Sequence, residues 1–218
     1  MLARNEAPTR ASFPRLLPAL VVVGVAAMAA LPACREKAAP QTTAPAGFRV
    51  VRDADAGFAV AVPAGWQRIP LPKDLDEFDK TANELSGRNP RLRPAVVQAR
   101  QLLQFGGRLM VVSPDGGSVV NLTVDKATEK NLAEIGRTTA DKLREGGATD
   151  LTQEQTTSGA GPALKLTFRY PIEGQEGREV QADEIQYLVL HKGRSFVLTV
   201  INGAGDLAAT VAASLRLR

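Results

Sequence analysis

Apolar and polar positions change their period several times along the chain. Phe58-Ala-Val60-Ala-Val62 alternates with period two between Gly57 and Pro63-Ala-Gly65, which predicts a strand ending in a turn. Phe48-Arg-Val50 predicts a shorter strand ahead of it. From Lys73 to Leu85 the period shifts to that of a helix, with Leu75, Phe78, Ala82 and Leu85 on one side. Asp74, Asp76 and Glu77 stand where acids suit the helix dipole, and Gly87 suits its end. Arg93 to Phe105 predicts a second helix, with Pro94 in its first turn and Val96, Ala99, Leu102 and Leu103 toward one side. Gly106-Gly107 stops it.

Leu109 to Val112 and Val120-Asn-Leu122-Thr-Val124 then flank the turn residues Pro114 to Gly117, a hairpin pattern. Thr128 to Glu145 predicts the longest helix, with Thr128 as N-cap, Leu132, Ile135, Thr139 and Leu143 on one face, and Gly146-Gly147 at the end. The remainder is rich in strands: Leu151 to Gln155, Ala163 to Tyr170, a turn at Glu173 to Gly177, and a hairpin of Val180 to His191 with Arg194 to Asn202 around Lys192-Gly193. Asp206 to Leu215 closes as a helix, with Leu207, Val211 and Leu215 one side. Clustered strands joined by short turns predict an α+β domain: an antiparallel sheet of about six strands with helices packed on its faces.

The start of the chain follows a different rule. Met1 to Arg15 is basic and has no apolar period, and Leu16 to Ala30 runs for fifteen residues without a charge. That is the length of a signal-peptide core and short of the ~20 residues of a membrane-spanning helix. Leu31-Pro32-Ala33-Cys34 follows and resembles a bacterial lipobox: aliphatic at −3, small at −1, cysteine at +1. Lipidation needs the nucleophilic thiol, cleavage needs a small residue beside the bond, and the aliphatic side chain fills a pocket within the bilayer. Proline at −2 departs from the commoner Ala, Ser or Thr.

The resemblance implies that residues 1–33 are a lipoprotein signal peptide and that Cys34 carries diacylglycerol, with a further acyl chain, such as palmitate, possible on its amine. An uncleaved anchor and simple secretion are the alternatives. Each buried CH₂ contributes roughly 0.8 kcal/mol, so two or three acyl chains hold a protein to a membrane. Residues 34–47 have no apolar side chain larger than alanine and predict a flexible Ala/Pro/Thr tether. Residues 48–218 form the domain. At 171 residues it buries ~70% of its unfolded surface, enough for a core without staples.

Composition changes little in this picture. With 44% hydrophobic and 23% charged residues the chain is not wholly disordered. The net charge of +4 suggests nucleic acid until it is divided. The first 33 residues hold Arg4, Arg10 and Arg15 against Glu6, which leaves 24 basic and 22 acidic side chains in the rest. That balance, without a Lys/Arg block, argues against nucleic acid as a partner. One cysteine excludes an internal disulfide.

A family resemblance is carried by "AGFAVAVPAGWQRIP" (Ala56 to Pro70), "RQLLQFGGRLMVVSPD" (Arg100 to Asp115), "GPALKLTFRYPIEG" (Gly161 to Gly174) and "EIQYLVLHKGRSFVLTV" (Glu184 to Val200). These resemble the Mog1/PsbP-like superfamily, and within it the LpqN-type lipoproteins of actinobacterial cell envelopes. The resemblance spans nearly all of Phe48 to Arg218. It implies an antiparallel sheet sandwiched by helices, on which members serve as accessory or binding proteins, and it implies no particular reaction.

Candidate chemistry is sparse. His191 is the only histidine and reads as a surface turn residue. With Cys34 committed to lipid, no His/Cys set for a metal remains, and no catalytic residue or cofactor site is assigned. Asp74 to Asp79 lacks the glycine and terminal glutamate of a calcium loop and reads as a charged first helical turn. The Gly pairs match no phosphate-binding loop. Asn121-Leu-Thr123 matches a glycosylation sequon but falls inside a strand. Trp66 reads as packing, and Arg35 and Lys37 stand where they would meet anionic headgroups.

Two functions follow as expectations. The first is a lipid-anchored, non-enzymatic protein on the extracytoplasmic face of the cell membrane, binding an envelope protein or an apolar envelope component. It requires a roomy apolar cleft or an exposed apolar patch. The second is an envelope hydrolase, which requires two acids in one cleft ~5–9.5 Å apart.

Overall fold

The computed structural model describes residues 40–129, 131–173 and 179–218. The signal peptide expected at 1–33 with Leu31, Pro32 and Ala33, the cysteine expected to carry lipid, Cys34, the tether expected there up to residue 39 and most of the turn expected at Glu173 to Gly177 lie outside the described residues.

Among the described residues, ten strands and four helices follow in order. The strands are β1 (Phe48–Asp53), β2 (Phe58–Pro63) and β3 (Gln67–Arg68), then β4 (Gly107–Val112), β5 (Val119–Lys126), β6 (Thr149–Ser158), β7 (Gly161–Glu173), β8 (Glu179–His191), β9 (Arg194–Ile201) and β10 (Arg216–Leu217). The helices are α1 (Leu75–Arg88) and α2 (Arg93–Gln104) between β3 and β4, α3 (Leu132–Glu145) before β6, and α4 (Gly205–Ser214) before β10. A short 3₁₀ turn, Pro90–Leu92, joins α1 to α2.

The class is α+β and the described pairings are antiparallel, as the clustered strands require. The main sheet carries seven strands in the order β3-β4-β5-β9-β8-β7-β6. A separate three-stranded sheet, β1-β2-β10, was not distinguishable by periodicity alone, because its central strand alternates like the others.

Register assigns the two faces of the large sheet. One face presents Leu109, Val111, Val120, Leu122, Phe196, Leu198 and Val200, packed against Phe58, Val60 and Val62 of the small sheet and Val211 of α4. Trp66 packs partly buried against this core, as expected. Burying such side chains contributes about 1.5–3 kcal/mol each, and this layer is the main core. The opposite face carries two separate clusters. At the β4 end, Phe78, Leu92 and Ala99 cover Met110, Val112 and Val119. At the other end, Ile135 of α3 covers Leu164, Leu166, Phe168 and Leu188.

One helix start differs from expectation. Thr128 does not cap α3: its hydroxyl donates to Glu129, and Asn131 Oδ1 accepts the Glu134 N–H at 2.9 Å instead. A cap must precede the first helical residue directly, and Asn131 stands just ahead of Leu132 whereas Thr128 does not. At α1, Asp74 accepts from the N–H groups of Asp76 and Glu77, so part of the acidic cluster is an N-cap. That helix runs through Gly87 and ends at Arg88, with Asn89 as its C-cap.

Candidate functional site

Because the helices of the second face stand over its two ends, the middle strands β5, β9 and β8 are left uncovered between α2 and α3. A groove of about 940 Å³ opens there. Its floor follows from register. Met110, Asn121, Thr199, Gln186 and Leu166 lie in one row across five strands, and Val112, Val119, Ile201, Glu184 and Phe168 in the next. Within those rows the groove meets a polar centre between apolar ends.

Four polar side chains make that centre. Asn121, Thr199 and Glu184 are 7%, 6% and 7% exposed. Gln186 is half-buried, and its Oε1 is buried with no hydrogen-bond partner among the described residues. Among the described residues the four side chains make no hydrogen bond or ion pair, and of their polar atoms Gln186 Oε1 alone is both sealed from solvent and unpaired. Glu184 faces Phe168 on one neighbouring strand and Ile201 on the other. Its burial pushes the carboxyl up to about 7, with no cation close enough to oppose the shift.

The walls are of another kind. Val97 and Phe105 of the α2 segment line the groove while 53% and 69% exposed, and Leu102, Leu143, Pro171 and Ile172 complete an apolar rim. Arg91 and Arg93 line one end, where the Arg91 carbonyl is held over the β4–β5 turn. Gly116 permits that approach: its φ is +79°, and a Cβ there would stand 2.7 Å from the Arg91 oxygen. Asp115 of the same turn is held below the usual carboxylate range, first by the Ser113 hydroxyl and then by the Gly117 N–H, with Arg91 adding a small further pull.

The residues singled out by sequence fall elsewhere, with one exception. His191 is half-buried rather than on the surface, its Nε2 is buried without a partner, and its position in β8 has the opposite parity to Glu184 and Gln186. Asp79 pairs with Arg100 at 3.0 Å on the outside of α1 and α2. Among the described residues no group of three or more His, Cys, Asp or Glu comes together to hold a metal. Asn121, considered only as a sequon, is the exception: it lies on the groove floor. Glu184, Gln186 and Thr199 were missed. Their signal is a polar residue at an inner position of a strand that is apolar on both sides.

No protein-family model and no curated protein matches the chain. Solved structures similar to it include PsbP (CyanoP) from Synechocystis sp. PCC 6803, at 12% identity over 83% of this chain and 98% of that one, with a TM-score of 0.47. LpqN of Mycobacterium tuberculosis, described as involved in cell envelope biogenesis, is 12% identical over 81% of this chain and 89% of that one, with a TM-score of 0.42. A protein of Bacteroides thetaiotaomicron is 11% identical over 74% of this chain and 45% of its own, at 0.43.

Proposed function

We propose that the chain is a lipid-anchored binding protein of the cell envelope, not an enzyme, and that its groove takes an apolar or amphiphilic envelope component. The single observation that carries this reading is the groove itself: exposed apolar walls over buried polar side chains that lack partners. An amphiphile supplies both missing halves, burying the walls and pairing the floor. The anchor rests on Leu31-Pro32-Ala33-Cys34, and no helix among the described residues is long and apolar enough to cross a membrane. The hydrolase reading finds half of its requirement. Glu184 is an acid in a cleft with a raised pKa, but no second carboxyl lines that cleft among the described residues.

The test is to purify the chain from native membranes and identify what an organic extract of it contains by mass spectrometry. An amphiphile should accompany the wild type and be reduced about tenfold in Val97→Asp, which puts a charge on an exposed apolar wall without touching the core. In the same preparation Cys34→Ala should lose acyl labelling and membrane retention. An extract free of amphiphile, or equal amounts in wild type and Val97→Asp, sinks the groove reading. Unchanged mass and retention in Cys34→Ala sink the anchor.

A further inference from the structure

The groove is not uniform along its length. The Glu184 row and the Leu188 row are four residues apart on β8, so the floor between them runs ~13 Å. At the Glu184 end stand Arg91 and Arg93, and no described acid forms an ion pair with Arg93. Helix α2 begins at this same end with no acid in its first turn and no side-chain cap, so its dipole presents positive charge to the groove. At the far end the lining is Leu102, Phe105, Leu143 and Val197.

We infer that the occupant is an anionic single-chain amphiphile, its carboxylate or phosphate head at the Arg91 and Arg93 end above Glu184, and its chain directed toward Leu102, Phe105 and Leu143. The inference rests on the groove-binding reading and adds the charge and direction of the ligand. Charge complementarity selects the head: the lining holds two guanidinium groups and one carboxyl. That carboxyl is buried between Phe168 and Ile201 without a hydrogen bond of its own among the described residues, so near neutrality it takes a proton readily and donates to an anion. Asn121, Thr199 and Gln186 hold the unpaired hydrogen-bonding capacity next to the head, and the volume matches a site for one small ligand. A cationic head would meet both arginines. A neutral polyol would use the floor and leave the arginines idle.

Titration of the purified full chain with amphiphiles of one tail separates these cases: dodecyl phosphate, laurate, dodecyltrimethylammonium and dodecyl maltoside, each below its micelle concentration. Both anions, or one of them, should bind at least about tenfold tighter than the other two probes, and the better anion names the head. The exposed pair Arg91→Ala/Arg93→Ala should erase that gap while leaving the maltoside unchanged. The other ionisable groups that line the groove with Glu184 are Arg91 of the 3₁₀ turn, Arg93 of α2 and Tyr170 of β7. Laurate affinity should therefore fall as pH rises past 7 in the wild type and stay level in Glu184→Gln. Tightest binding of the ammonium or the maltoside, or an anion preference that survives the double substitution, overturns the inference alone. Failure of every probe, the maltoside included, overturns the groove reading beneath it.

Discussion

Glu184 sits between Phe168 and Ile201 with its charge unsupported, and this sets a cost that depends on pH. Its folded pKa of about 7 lies above the ordinary value of 4.5, so between those values the folded state holds a proton that the unfolded state has lost. Stability is therefore highest below about 4.5, declines as pH rises through this window, and levels above 7. The full loss is roughly 3 kcal/mol. Glu184→Gln should gain on the wild type by that order between pH 5 and pH 8, read as the difference in urea midpoint. Parallel profiles for the two proteins would show that burial does not hold the proton. In sequence Glu184 was one acid of many, because alternation marks a polar strand position as outward-facing and does not say whether the outside is water or a groove. Thr199 and Gln186 were hidden for the same reason.

Among the elements, the two hairpins and the helix periods were legible because each core is built on regular periods. Helix α2 was expected at Arg93 to Phe105 and occupies Arg93–Gln104. The failures lie at ends, where one side-chain hydrogen bond decides. Asn131→Ala should cost about 1 kcal/mol in chemical denaturation, the value of an N-cap, and Thr128→Ala should stay within about 0.5 kcal/mol. Equal losses would return the cap to Thr128. Helix α3 approaches β7 closely at Gly136, where a Cβ would collide with Leu164 Cδ2. That closeness fixes α3, and Leu143 with it, as the groove's far wall.

At the scale of the whole domain, the groove exists because the helices of one face stand apart. No periodicity contains that fact, since it depends on where α2 and α3 dock on a shared sheet. The small sheet was hidden similarly: β2 reads like any buried strand, and only its pairing with β1 and β10 removes it from the large sheet. Residues 40–43, within the segment expected as a tether, add an orientation. Thr42 donates to the Ser214 carbonyl at 2.9 Å, at the C-terminal end of α4, which packs on the sheet face opposite the groove. Residues 40–43 thus leave the mouth of the groove clear. The most direct test of this arrangement is an amide-resonance map of the purified full chain during titration with dodecyl phosphate. Shifts should concentrate on Asn121, Thr199, Gln186 and the α2 segment, with the small sheet and α4 unmoved. Shifts centred on β1, β2 and α4, or none at saturating probe, would contradict it.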